Sequence, residues 1–79
     1  MSIDISLKLF TKEMHKELIA NEFKGGWSDE CLSDLYASLG NEVSELQVAL
    51  IDDDEAEIIS ECADIANFAM MIAENARKR

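Results

Sequence analysis

Proline is absent from this chain, and only three of its 79 residues are glycine. The residues that break helices and shape tight turns are therefore scarce, which disfavours a strand-and-turn architecture and suits long, uninterrupted helices. Basic residues are few as well: 7 lysines and arginines face 17 aspartates and glutamates, a net charge of -10. Such a surface repels phosphate backbones and anionic lipid, so neither a nucleic-acid polymer nor a membrane is expected as a partner. No apolar run is long enough to span a bilayer, and Met1-Ser2-Ile3-Asp4 lacks the basic start and apolar stretch of a signal peptide. A cytoplasmic location is the expectation. The two cysteines, Cys31 and Cys62, have no metal-ligand spacing, and one bridge is a poor match to a disulfide framework. Both read as free thiols. His15, the single histidine, has no partner at ligand spacing and reads as a surface residue.

What the chain does have is apolar periodicity, with 48% hydrophobic residues arranged at helical spacing. Leu7, Phe10, Met14 and Leu18, with Ile3 and Ile19 beside them, predict a first helix over residues 5–23. Lys8 reads as part of its solvated face, whereas Lys12 and Lys16 are candidates to meet an anionic ligand. Lys24-Gly25-Gly26-Trp27-Ser28 then stops one helix and starts another, with Ser28 as the N-cap. Trp27 either packs across that junction or offers a stacking surface for a base, with Lys24 supplying charge for a phosphate.

A second helix is predicted over residues 29–50, its stripe formed by Leu32, Leu35, Tyr36, Leu39, Val43, Leu46 and Leu50. Gly40 interrupts it at a cost of about 1 kcal/mol relative to alanine, which points to close packing or to the approach of something to its backbone. Asp54 and Glu57 have the spacing of a capping arrangement for a third helix over residues 55–77. That helix is apolar on two sides, through Ile58, Cys62, Ile65, Ala69 and Ile72 on one and Ile59, Ala63, Ala66, Met70 and Ala73 on the other. Burial on both sides requires a neighbouring subunit, because three helices cannot surround it. The expectation is an all-α fold: one domain spanning residues 1–79, three helices assembling into an oligomeric bundle, dimer or tetramer.

Two acid pairs at i, i+3 spacing, Glu42/Glu45 and Glu61/Asp64, stand at the edges of the second and third apolar stripes. A single such pair is common on solvated helices. Two pairs separated by a turn converge in a partly dehydrated groove, where uncompensated carboxylates repel each other and a divalent cation relieves the penalty. An all-carboxylate donor set fits Mg²⁺, or Mn²⁺, rather than zinc, and the E-x-x-H pairs of di-iron bundles are missing.

The order Lys24-Gly25-Gly26-Trp27, Glu42-x-x-Glu45, Glu61-x-x-Asp64 and then Ile65-Ala66-Asn67-Phe68 resembles the MazG-like family of the all-α nucleoside triphosphate pyrophosphohydrolases. The resemblance covers residues 24–72. It implies Mg²⁺-dependent cleavage of a nucleoside triphosphate between its α and β phosphates, giving a monophosphate and pyrophosphate. By that analogy Glu42, Glu45, Glu61 and Asp64 hold the metal, and Glu42 or Glu45 orients or deprotonates the attacking water. Lys24 and Trp27 would handle phosphate and base, and Asn67 the sugar or base. The chain departs from the family pattern at Asn41, where a further acid often precedes the first pair, and many members continue into a fourth helix beyond the point where this sequence reads Arg79. Phosphate-binding cations would then come from Lys12, Lys16 or a neighbouring subunit. The alternative reading is a non-catalytic helical oligomer that binds a nucleotide or a protein.

Overall fold

The three apolar stripes become three helices. The computed structural model describes residues 2–21 and 26–78, which form α1 (Ile3–Ala20), α2 (Leu32–Ile51) and α3 (Glu55–Arg77) with no strand among them. The all-α expectation holds. α3 starts and stops where the sequence places it, because Asp54 caps it by accepting a hydrogen bond from the Glu57 N–H at 3.2 Å.

The other two helices differ from expectation at their ends. α1 begins earlier, since the Ser2 hydroxyl accepts from the Ile5 N–H at 3.2 Å and caps it. Its expected last turn, together with Lys24 and Gly25, lies outside the described residues. α2 begins later than residue 29, and Ser28 is not its cap; Cys31 holds that position without a side-chain cap bond. The reason is a long-range tie: the buried Asn75 amide donates to the carbonyls of Trp27 and Glu30, at 2.9 and 3.1 Å. Those bonds hold the preceding segment in a turn, closed by Glu30 N–H to the Trp27 carbonyl at 3.0 Å, and delay the helix.

α3 is the central element. α1 and α2 each pack on it and, among the described residues, not on one another. The α2–α3 seam contains the buried apolar side chains Leu35, Ala49, Ala63 and Met71. α1 buries no residue fully. It lies on α3 with Met14 and Leu18 half-buried and carries two polar ties, Ser60 Oγ donating to Glu17 Oε1 at 2.8 Å and Asn67 Nδ2 donating to the Met14 carbonyl at 2.9 Å. The connection between α2 and α3 is three residues long, and Asp53 within it takes a left-handed φ of 51°; aspartate tolerates that region better than most residues do. No described helix is long and apolar enough to cross a membrane.

Candidate metal centre

Glu42 and Glu45 sit one turn apart on the flank of α2 that borders α3, and Glu61 rises from α3 to meet them. One carboxylate oxygen from each of the three lies within 4.8 Å of the others. Their burial is graded: Glu45 is exposed, Glu42 is half-buried, and Glu61 is only 8% exposed. Glu42 Oε2 and Glu61 Oε2 are both buried and receive no hydrogen bond. A buried carboxylate oxygen without a donor loses its hydration without compensation.

That loss appears in the protonation equilibria. Burial, with hydrogen bonds to Glu61 and Glu45 added to it, pushes the Glu42 carboxyl up from 4.5 to about 9. Burial likewise raises Glu61, and the nearby charge of Glu45 acts in the same direction. Asp64, one turn beyond Glu61, is raised to about 6 by burial first and then by the charges of Glu17 and Glu61, while a hydrogen bond with Glu42 opposes the shift. Asp64 thus borders the cluster within reach of Glu42, but the tight group of three oxygens comes from the glutamates. Like charges this close can be relieved by protons or by a cation, and the orphaned oxygens of Glu42 and Glu61 fit the second: an all-oxygen donor set with unused lone pairs suits a hard divalent ion.

The surroundings are acidic too. A cavity of about 410 Å³ opens beside Glu45 and Glu61 and is lined also by Val48, Ala49, Asp52, Asp54 and Glu57. An anion could enter it only with its charge neutralised.

The residues expected to bind substrate are spread more widely. Trp27 is half-buried in the turn before α2, and its carbonyl is taken by Asn75. Asn67 is 3% exposed; its amide nitrogen is committed to Met14, and its Oδ1 is buried without a partner. Lys12 and Lys16 are exposed on α1, Lys16 pairing with Glu13 at 3.6 Å, and both line other cavities than the one beside the glutamates. Two residues escaped the sequence reading. Glu17 lies against Ser60 and beside Asp64, where it extends the acidic field onto α1. Its position one turn from Met14, at the edge of the apolar stripe, was the available signal. Asn75, an amide on the buried side of a helix, gave none.

No curated protein and no solved structure gives a significant match to this chain. The family model for phosphoribosyl-ATP pyrophosphohydrolase matches residues 7–77, which takes in most of α1, all of α2 and α3, and all four acids. That family lies within the all-α nucleoside triphosphate pyrophosphatases, the wider group that the acid pairs resemble, and its members are pyrophosphohydrolases acting on a nucleotide. With nearly its whole length accounted for, the chain belongs to the phosphoribosyl-ATP pyrophosphohydrolase family.

Proposed function

We propose that this chain is a Mg²⁺-dependent pyrophosphohydrolase that cleaves a nucleoside triphosphate, or a nucleotide carrying one, between its α and β phosphates. The observation that carries the reading is the Glu42, Glu45 and Glu61 cluster with its two orphaned, buried oxygens. Glu42 and Glu61 hold the cation, with Asp64 at its border, and Mn²⁺ can take the place of Mg²⁺. When bound, the cation screens phosphate charge and polarises the attacked phosphorus. Glu45, exposed at the mouth of the acidic cavity, takes the proton of the attacking water. The water oxygen joins the α-phosphorus, the bond from that phosphorus to the bridging oxygen breaks, and the bridging oxygen leaves with pyrophosphate. Trp27 is assigned to the base, Asn67 to the sugar or base, and Lys24, Lys12 and Lys16 to the phosphates.

The finer likeness to MazG-like enzymes and the match to phosphoribosyl-ATP pyrophosphohydrolase differ in substrate breadth, the first suggesting nucleoside triphosphates generally and the second phosphoribosyl-ATP. The protein is proposed to act as one helical domain, in the cytoplasm, as a homo-oligomer. The test is pyrophosphate release from phosphoribosyl-ATP and a panel of ordinary and modified nucleoside triphosphates, with Mg²⁺ or Mn²⁺. Release that is lost in Glu61→Gln supports the reading. Silence across the panel overturns it, and thermal stabilisation by Mg²⁺ and nucleotide without turnover would point instead to a nucleotide-binding oligomer.

A further inference from the structure

The start of α2 carries no side-chain cap. Its N-cap residue, Cys31, makes no cap bond, and the thiol lies 3.3 Å from the Ser33 hydroxyl. The first backbone bond of the helix runs from the Leu35 N–H to the Cys31 carbonyl at 3.1 Å. The N–H groups of Leu32, Ser33 and Asp34 come before it, and among the described residues they have no acceptor. Unused donors at the positive end of a 20-residue helix favour an anionic group.

A helix end by itself is satisfied by water. This one borders a cavity of about 220 Å³, lined by Ser28, Glu30, Cys31, Leu32, Asn75 and Lys78. Asn75 is only 8% exposed. Its Nδ2 is spent on the carbonyls of Trp27 and Glu30. That leaves Oδ1, buried and without a donor, as the polar atom it can still offer to the cavity. A buried amide oxygen is costly unless a hydrogen-bond donor reaches it, so Asn75 points to a donor from outside the chain.

The lining therefore makes two opposite demands. The first-turn amides and the Lys78 ammonium, which pairs only loosely with Glu74 at 3.9 Å, call for a negatively charged acceptor. The Glu30 carboxylate and Asn75 Oδ1 call for a positively charged donor. A simple anion would leave Oδ1 unsatisfied and be repelled by Glu30, and a simple cation would be repelled by Lys78. A zwitterion meets both demands. The cavity is smaller than the about 300 Å³ at which ordinary ligand pockets begin, so the zwitterion is a small one.

We infer that the cavity between the start of α2 and the end of α3 binds a small free α-amino acid. Its carboxylate rests on the Leu32 and Ser33 amides beside Lys78, and its ammonium donates to Glu30 and to Asn75 Oδ1. The site is separate from the metal centre, since Leu32 precedes Glu42 by ten residues, about 15 Å along the helix. It depends on no part of the proposed chemistry, and its occupancy is measured without turnover.

Titration of the full, ¹⁵N-labelled chain followed by NMR tests it, with glycine, alanine, serine and valine as ligands and acetate, inorganic phosphate and methylamine as single-charge comparisons. At least one of the amino acids should give saturable shifts of the Leu32 and Ser33 amides and of the Asn75 side-chain amide. It should bind about tenfold or more tightly than any of the comparison ions, equally well in Mg²⁺ and in chelator. Lys78→Ala and Glu30→Gln alter exposed side chains, so both variants should fold, and each should weaken binding about tenfold or more through loss of a charge-assisted bond. Absence of a saturable shift with all four amino acids overturns the inference. Acetate or phosphate binding as tightly as the amino acids also overturns it, by reducing the site to an ordinary anion at a helix end, and so does binding that survives both substitutions.

Discussion

A carboxylate oxygen that is buried without a partner is a cost to the fold, and Oε2 of Glu61 is the clearest case here. Glu61→Gln removes a proposed cation ligand but keeps the shape, so on that proposal pyrophosphate release and Mg²⁺ affinity should fall by more than about 100-fold. The melting temperature in chelator should hold or rise, because the amide has no charge to desolvate. The pH dependence follows from the raised carboxyls. In the range between their unfolded and folded pKa values the folded chain binds more protons than the unfolded one, so stability falls as pH rises. In chelator, melting temperature should be highest near the ordinary carboxylate range and decline as pH passes through about 6 for Asp64, then through about 9 for Glu42. Mg²⁺ favours the deprotonated forms and should flatten that decline; parallel melts across pH, with and without the ion, check it. The convergence of Glu42, Glu45 and Glu61 was legible in the sequence because each sits at a stripe edge, a property of spacing alone. The place of Glu17 was not, since it depends on how steeply α1 crosses α3.

Helix boundaries show the same division. α3 was legible at both ends because its signals are local: the Asp54 cap, Glu57 three residues on, and an unbroken apolar pattern. The start of α2 was not, because Ser28 looks like a good cap in sequence and is overruled by Asn75, far along the chain. Two substitutions separate these cases. Asp54→Ala should cost about 1 kcal/mol in urea denaturation through loss of the cap, whereas Ser28→Ala should stay within about 0.5 kcal/mol, as an exposed residue without a capping role does. The glycine in α2 was likewise readable as an oddity, and no group within 4 Å of the place its Cβ would take accounts for it.

At the scale of the whole molecule, three helices could be read from composition and periodicity, but not that α1 and α2 would both pack on α3 within one chain, whose second apolar side was expected to need a neighbouring subunit, nor that they would leave each other untouched. That arrangement divides the chain unequally. The α2–α3 hairpin holds the buried apolar side chains and all three clustered glutamates, whereas α1 has no fully buried residue and is tied to α3 by the hydrogen bonds of Ser60 and Asn67. Elements with little buried apolar surface open locally at a lower free energy than the global one. Backbone amides of α1 should therefore exchange with deuterium well before those of α2 and α3, and Asn67→Ala should widen the gap. Comparable protection across all three helices would contradict this. Opening of α1 would carry Glu17 away from Asp64 and uncover that side of α3, yet leave the three glutamates in register on the hairpin. The helix that screens one side of the centre is thus the part that can detach without dismantling it.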